Sequence, residues 1–242
     1  MVRQRDDPLR RQGSWLRVVL FVTVAFGTAF LFRQGLVVPA LNPLVIDFAQ
    51  PGQWLVDWRL AGIRHHPEVC ARTLRAPQIE ATPIPDSGIK DGCGWTNAVR
   101  LVSAAGIRSS FDKVTCETAV ALALWLAHDV QALANEILGE QVTSIQSFGS
   151  YSCRNIIGNR TWSSVRSQHA LANAVDIAGF SLESGRSVSV LRHWHGDGKE
   201  ARFLRAVHGR ACAYFRVALS PDYNAAHHNH FHFDRGPFSR CK

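Results

Sequence analysis

The sequence predicts an α+β fold: a single domain with a small antiparallel sheet and flanking helices, preceded by an N-terminal transmembrane helix. Three observations lead there. Residues 116–138 and 199–215 repeat apolar side chains at helical spacing. Residues 142–148, 175–182 and 230–234 are short strand-like runs between turn residues. Residues 18–32 form an uncharged apolar run behind an arginine-rich head. A chain of 242 residues is long enough to bury a core of its own.

The head, residues 1–17, holds Arg3, Arg5, Arg10, Arg11 and Arg17 against Asp6 and Asp7. A basic head before an apolar run is the layout of a signal peptide or a signal anchor. The run is shorter than the ~20 residues that span a bilayer core. Arg17 and Arg33 can snorkel, however, and Leu16 and residues 36–38 lengthen it. No Ala-x-Ala cleavage site follows directly. The expectation is an uncleaved anchor over 18–38, a single pass of the inner (cytoplasmic) membrane, with the head in the cytoplasm and the C-terminal domain in the periplasm or cell envelope. Residues 39–69 then read as a juxtamembrane connector, in which a short helix near 51–64 carries Trp54 and Trp58 at the bilayer surface.

Residues 70–242 read as one domain. Pro77, Pro83, Pro85, Gly88 and Gly92 make 76–92 a loop, and a strand follows near 96–103. Along 116–138, Val120, Leu124, Ala127, Ala134 and Leu138 share a helix face, with Thr115 placed to cap it and Gly139 to stop it. A strand over 142–148 ends at Gly149. The next, 175–182, has Asp176 near its start. Along 199–215, Phe203, Leu204, Val207, Ala211 and Tyr214 mark the buried side. A strand at 216–219, a loop over 221–229 and a strand at 230–234 complete the domain.

Cys70, Cys93, Cys116, Cys153, Cys212 and Cys241 all lie after the apolar run, and no CxxC occurs. That argues against a zinc ribbon or a thioredoxin-like site and for up to three disulfides in an oxidising compartment. Six cysteines allow 15 pairings, and spacing alone does not choose among them.

Of eleven histidines, four crowd into 227–232. In His230-Phe231-His232 an extended backbone sends both imidazoles to one face. Upstream, Ser167-Gln168-His169 is followed after six residues by Asp176, a spacing natural for a loop returning into a strand. Two histidines and one aspartate leave an open fourth position on zinc, an ordinary catalytic arrangement in which the ion lowers the pKa of water and polarises a carbonyl. The remaining histidines, His65, His66, His128, His193, His195 and His208, have no such context and read as surface or core side chains.

The segments GSYSCRN (149–155), SQHALANAVDIAGF (167–180) and HNHFHFD (228–234) make the chain resemble the bacterial extensin-like C-terminal domain family. That family in turn resembles the LAS zinc peptidases, the lysostaphin, D-Ala-D-Ala metallopeptidase and murein endopeptidase group. The first resemblance covers about 70–242; the second is confined to the three motifs. It implies Zn2+ held by His169, Asp176 and His232 on the antiparallel sheet. His230 is then the nonligand histidine that assists the water, and Arg154 holds a substrate carboxylate or the developing oxyanion. Tyr151, Ser167 and Asp234 become supports, with Asp234 orienting an imidazole, and His227 a residue of the pocket rim. Two departures stand out. Ala172 occupies a position that is glycine in many of these peptidases. No glutamate stands near the last histidine, which leaves acid–base work to His230 or, second to it, His227.

The function expected is zinc-dependent hydrolysis of amide bonds in peptidoglycan stem peptides or crosslinks. Of the net charge of +8, residues 1–17 carry +3, so about +5 remains to suit an anionic wall polymer. No nucleic-acid module is recognisable. The alternative is a non-catalytic cell-wall-binding or structural envelope domain.

Overall fold

The computed structural model describes residues 8–33 and 46–242. Helices α1 (Pro8–Arg33), α2 (Val56–His65) and α3 (Pro67–Thr73) come first. Strands β1 (Ile79–Ile84), β2 (Ala98–Ala104) and β3 (Ile107–Thr115) lead into helix α4 (Cys116–Trp125). A π-helical turn, α5 (Gln131–Leu133) and a second π-helical turn carry the helix on to Leu138. Then follow β4 (Val142–Gly149), β5 (Ala174–Leu182), β6 (Ser187–Ser189), α6 (Val190–His193), α7 (Lys199–Ala211), β7 (Val217–Leu219), β8 (Phe231–Asp234) and β9 (Arg240–Cys241).

The expected small antiparallel sheet is instead, among the described residues, a nine-stranded mixed sheet. Its order is β1-β2-β3-β4-β5-β8-β7-β9, with β6 beside β5. Two pairings are parallel, β3 with β4 and β7 with β9. Strand β1 lies in the segment expected to be loop. Proline is tolerated there because β1 is an edge strand, where a missing N–H costs no ladder bond on the open side. Strand β3 is reached through Ala105 and Gly106, both at positive φ (51° and 76°). That is the two-residue hairpin geometry usually announced by Asn-Gly.

The expected transmembrane helix, and with it the single-pass anchor and the inner-membrane placement, is corrected. Among the described residues no helix is long and apolar enough to cross a membrane. Arg17 and Arg33 confine the uncharged part of α1 to residues 18–32. At about 1.5 Å per residue this run covers roughly 22 Å, against ~30 Å of hydrocarbon. Residues 1–7 of the expected head, 34–38 of the expected span and 39–45 of the expected connector lie outside the described residues. The described part of that connector joins the core: Ile46, Phe48, Leu60 and Ile63 are buried and Trp58 packs against them, while Trp54 is exposed.

Every residue of α4 is buried, and all but Glu117 and Thr118 are apolar, as a helix enclosed on all sides requires. Thr115 caps it, its side chain accepting from the Thr118 N–H, and Gly139 ends the run at φ 77°. Three disulfides join segments distant in sequence, and the first of them reaches α4. Cys70–Cys116 joins α3 to α4, Cys93–Cys153 joins the β1–β2 connection to the loop after β4, and Cys212–Cys241 joins the end of α7 to β9.

Candidate metal centre

Strands β5 and β8 are antiparallel neighbours, and their register sets Asp176 directly opposite His232. Facing residues of such a pair project to the same side of the sheet. His169 arrives from the 3-10 turn Gln168–Leu171, whose N-cap Ser167 accepts from the His169 N–H. Ala172 ends that turn at φ 52°, so the left-handed bend is made here without glycine. The next residue, Asn173, accepts through its Oδ1 from the hydroxyls of Thr115 and Thr118, which anchors the turn to the start of α4.

Three atoms meet. His169 Nε2 lies 3.1 Å from Asp176 Oδ1 and 3.1 Å from His232 Nδ1, and His232 Nδ1 lies 3.0 Å from Asp176 Oδ1. All three residues are buried. The opposite ring atoms are committed elsewhere. His169 Nδ1–H donates to the Ser150 carbonyl at 3.0 Å, and His232 Nε2–H donates to Asp234 Oδ2 at 3.0 Å. A neutral imidazole with one nitrogen donating presents a lone pair at the other. With both imidazoles neutral, two lone pairs and a carboxylate oxygen therefore converge, an arrangement able to hold a cation. Ligands about 2.0–2.1 Å from a tetrahedral zinc stand about 3.3 Å from one another, close to the spacing found.

Without a metal, protons take the cation's place. Burial pushes the Asp176 carboxyl up, but the hydrogen bonds and charges of His169 and His232 outweigh it and hold the carboxyl well below the usual range. Burial alone would lower His232; its hydrogen bonds to Asp176 and Asp234 reverse that and raise it to about 9.

The structure brings His230 to the same cluster, its Nε2 3.6 Å from Asp176 Oδ1. Its Nδ1 meets Asn229 Oδ1 at 2.8 Å, and Phe148 lies edge-on against the ring. Burial lowers its pKa. His227 packs on His230 and His232, with Nδ1 2.7 Å from Asn224 Oδ1. Burial, helped by the neighbouring His232 and His230, lowers it to about 4.

Arg154, Ser167, His227, His232 and Asp234 border one cavity of about 390 Å³. Asp234 also accepts from the Gly236 N–H through Oδ1. A side chain at Gly236 would collide with Gln168 and crowd that same oxygen. Tyr151 is placed differently from the other expected residues. It packs edge-on against Trp95 with Lys113 over both rings, and it does not line the cavity. Ser150, Phe148, Asn224, Asn229 and Gly236 escaped the sequence reading. Ser150 acts through its backbone carbonyl, which no side-chain pattern encodes. The two asparagines shortly before His227 and His230 were the one available signal.

Comparison with known proteins gives one finding: the family model described as "Extensin-like protein C-terminus" matches residues 68–242. No curated protein and no solved structure matches the chain.

Proposed function

The chain belongs to the extensin-like protein C-terminus family, and from that premise we propose that it is a zinc-dependent hydrolase of amide bonds, related in its site to the LAS zinc peptidases. The observation that carries the reading is the convergence of His169 Nε2, Asp176 Oδ1 and His232 Nδ1 at 3.0–3.1 Å with their partner atoms already committed. Two histidines and one carboxylate are a catalytic rather than a structural donor set for zinc, because they leave a position open. Bound by these three residues, zinc would supply Lewis acidity to a carbonyl and acidify water.

The chain's own residues do the rest. Ser150 and Asp234 fix the imidazole orientations, which is how partners behind the ligands tune a metal site. His230, beside Asp176, takes the proton from the attacking water and returns it to the leaving amine. Arg154, on the cavity wall near His227 and His230, holds the developing oxyanion or a substrate carboxylate. Peptidoglycan stem peptides and crosslinks are the proposed substrate. They carry free carboxylates that suit a cationic chain, and disulfides such as the three here persist in oxidising surroundings.

One observation favours a second reading. His230 stands 3.6 Å from Asp176, and a site that it closed as a fourth ligand would be structural, as in a wall-binding domain without turnover. Purified peptidoglycan incubated with the full chain separates the two. On the hydrolase reading new amino groups appear, EDTA stops their release and zinc restores it. His169→Ala abolishes release, and His230→Ala lowers it about 10²–10⁴-fold while zinc is retained. No release under any metal supply, or loss of zinc on His230→Ala, would establish the second reading instead.

A further inference from the structure

The cavity beside the metal centre has a composition that the hydrolase reading does not use. Its body is apolar: Ile156, Val165, Leu219 and Phe238 line it together with Trp162. Trp162 and Phe238 are in ring contact and are largely exposed, 45% and 64%. Exposed apolar surface concentrated at a concave, polar-rimmed place marks a binding site.

The cavity is also built, not a gap between loose loops. The segment 154–167 is closed on itself by backbone bonds from the Ile156 N–H to the Val165 carbonyl and from the Ser167 N–H to the Arg154 carbonyl. Asn159 Oδ1 accepts from the Thr161 and Trp162 N–H groups and fixes the turn that presents the indole. Asn224 Nδ2 donates to the Gly158 carbonyl and pins this segment to the histidine-bearing loop.

Charge decides the kind of occupant. Arg154, Arg166 and Arg240 line the cavity, and none of them meets a carboxylate among the described residues. Arg166 donates to the Asp91 carbonyl and to Asn155 Oδ1, and Arg240 lies over the Tyr223 ring, so each is held in place with its charge uncancelled. Among the described residues Asp234 is the only acid on the wall, and its oxygens are taken by His232 and Gly236.

We propose that this cavity binds an apolar carboxylate: a ring-sized hydrocarbon body against Trp162 and Phe238, with its anionic group on the arginine rim. The site needs neither metal nor turnover, so it stands apart from the hydrolase reading. If that reading also holds, the seated group is the part of the substrate next to the reacting carbonyl, because the cavity shares His232 with the metal centre. An alanine methyl would leave the cavity largely unfilled.

Isothermal titration of the full chain with naphthalene-1-acetate and, separately, with its neutral primary amide tests this in the presence of EDTA. Saturable one-to-one binding of the carboxylate, at least about tenfold tighter than the amide, is expected; tenfold corresponds to about 1.4 kcal/mol. The Trp162→Ala/Phe238→Ala pair should weaken it at least about tenfold, Arg240→Gln should weaken it severalfold, and Trp162→Phe should preserve it. Equal binding of the amide would overturn the proposal. So would binding unmoved by the double variant, which would place the ligand elsewhere, for instance on the exposed apolar residues of α1. Absence of saturation, or a saccharide such as chitotetraose binding in the carboxylate's place, would overturn it as well.

Discussion

At the scale of single residues, the histidines divide by what their second nitrogen touches. His169 and His232 each spend one nitrogen on an oxygen acceptor and aim the other at the cluster, whereas the ring of His208 faces aromatic side chains. His208 sits among Trp194, Phe231 and Phe233, and its Nε2 finds no hydrogen-bond partner among the described residues. Burial lowers its pKa from 6.5 to about 4. Because the folded value is depressed, its neutral form costs nothing above pH 6.5, and the folded state loses ground as pH falls from there towards 4. Urea denaturation should show stability falling by up to about 3 kcal/mol over that window from this group, a slope that His208→Phe removes. An unchanged slope in the variant would assign the acid sensitivity to other groups. Sequence could single out His169, Asp176 and His232 because an extended HxH and a histidine seven residues before an aspartate are side-chain patterns. It could not supply Ser150, whose contribution is a carbonyl, nor see that Tyr151 turns towards Trp95.

At the scale of elements, helices were more legible than strands. Residues 116–138 are helical through α4, α5 and the two π-helical turns, begun by the Thr115 cap and ended at Gly139, and the apolar face of 199–211 is the buried face of α7. Strand β1 was hidden by prolines that an edge position tolerates, and β3 by a turn built on Ala105 and Gly106. Strand β6 is a three-residue hairpin return onto β5, too short to show an alternating pattern, and β9 pairs with the sequence-distant β7, which local pattern cannot reveal. The loop 154–167 depends on a close approach at Gly158, which has φ 78°. A Cβ there would fall 2.9 Å from both Ala226 Cβ and Asn224 Nδ2. Gly158→Ala should therefore cost about 1–2 kcal/mol from backbone conformation alone, and more from the collision. Chemical denaturation measures the loss. A neutral result would mean that this loop is not held against the histidine-bearing one.

At the scale of the whole molecule, a buried ionic network joins the N-terminal helices to the end of the strand that carries the site. Glu117, fully buried in α4, accepts from Arg64 of α2 and from Arg235, the residue after Asp234. Arg235 also pairs with Asp57, as does Arg216. Removing Glu117 leaves the buried Arg235 guanidinium with only the half-exposed Asp57 as a carboxylate partner, so Glu117→Ala should cost about 3 kcal/mol, read as a fall in melting temperature. A loss below about 1 kcal/mol would show that the guanidiniums reach water once freed. Long-range pairs of this kind have no local sequence signature, which is why residues 46–69 read as a connector instead of part of the core. The fold brings His169, Asp176 and His232 together, and on the proposed function they hold one metal ion. Competitive zinc titration of the metal-stripped full chain decides this. One zinc per chain is expected, with binding lost in Asp176→Ala and affinity lowered about 10–100-fold in Asp234→Asn, which frees the His232 ring. Absence of stoichiometric zinc binding, or binding that survives Asp176→Ala undiminished, would contradict it.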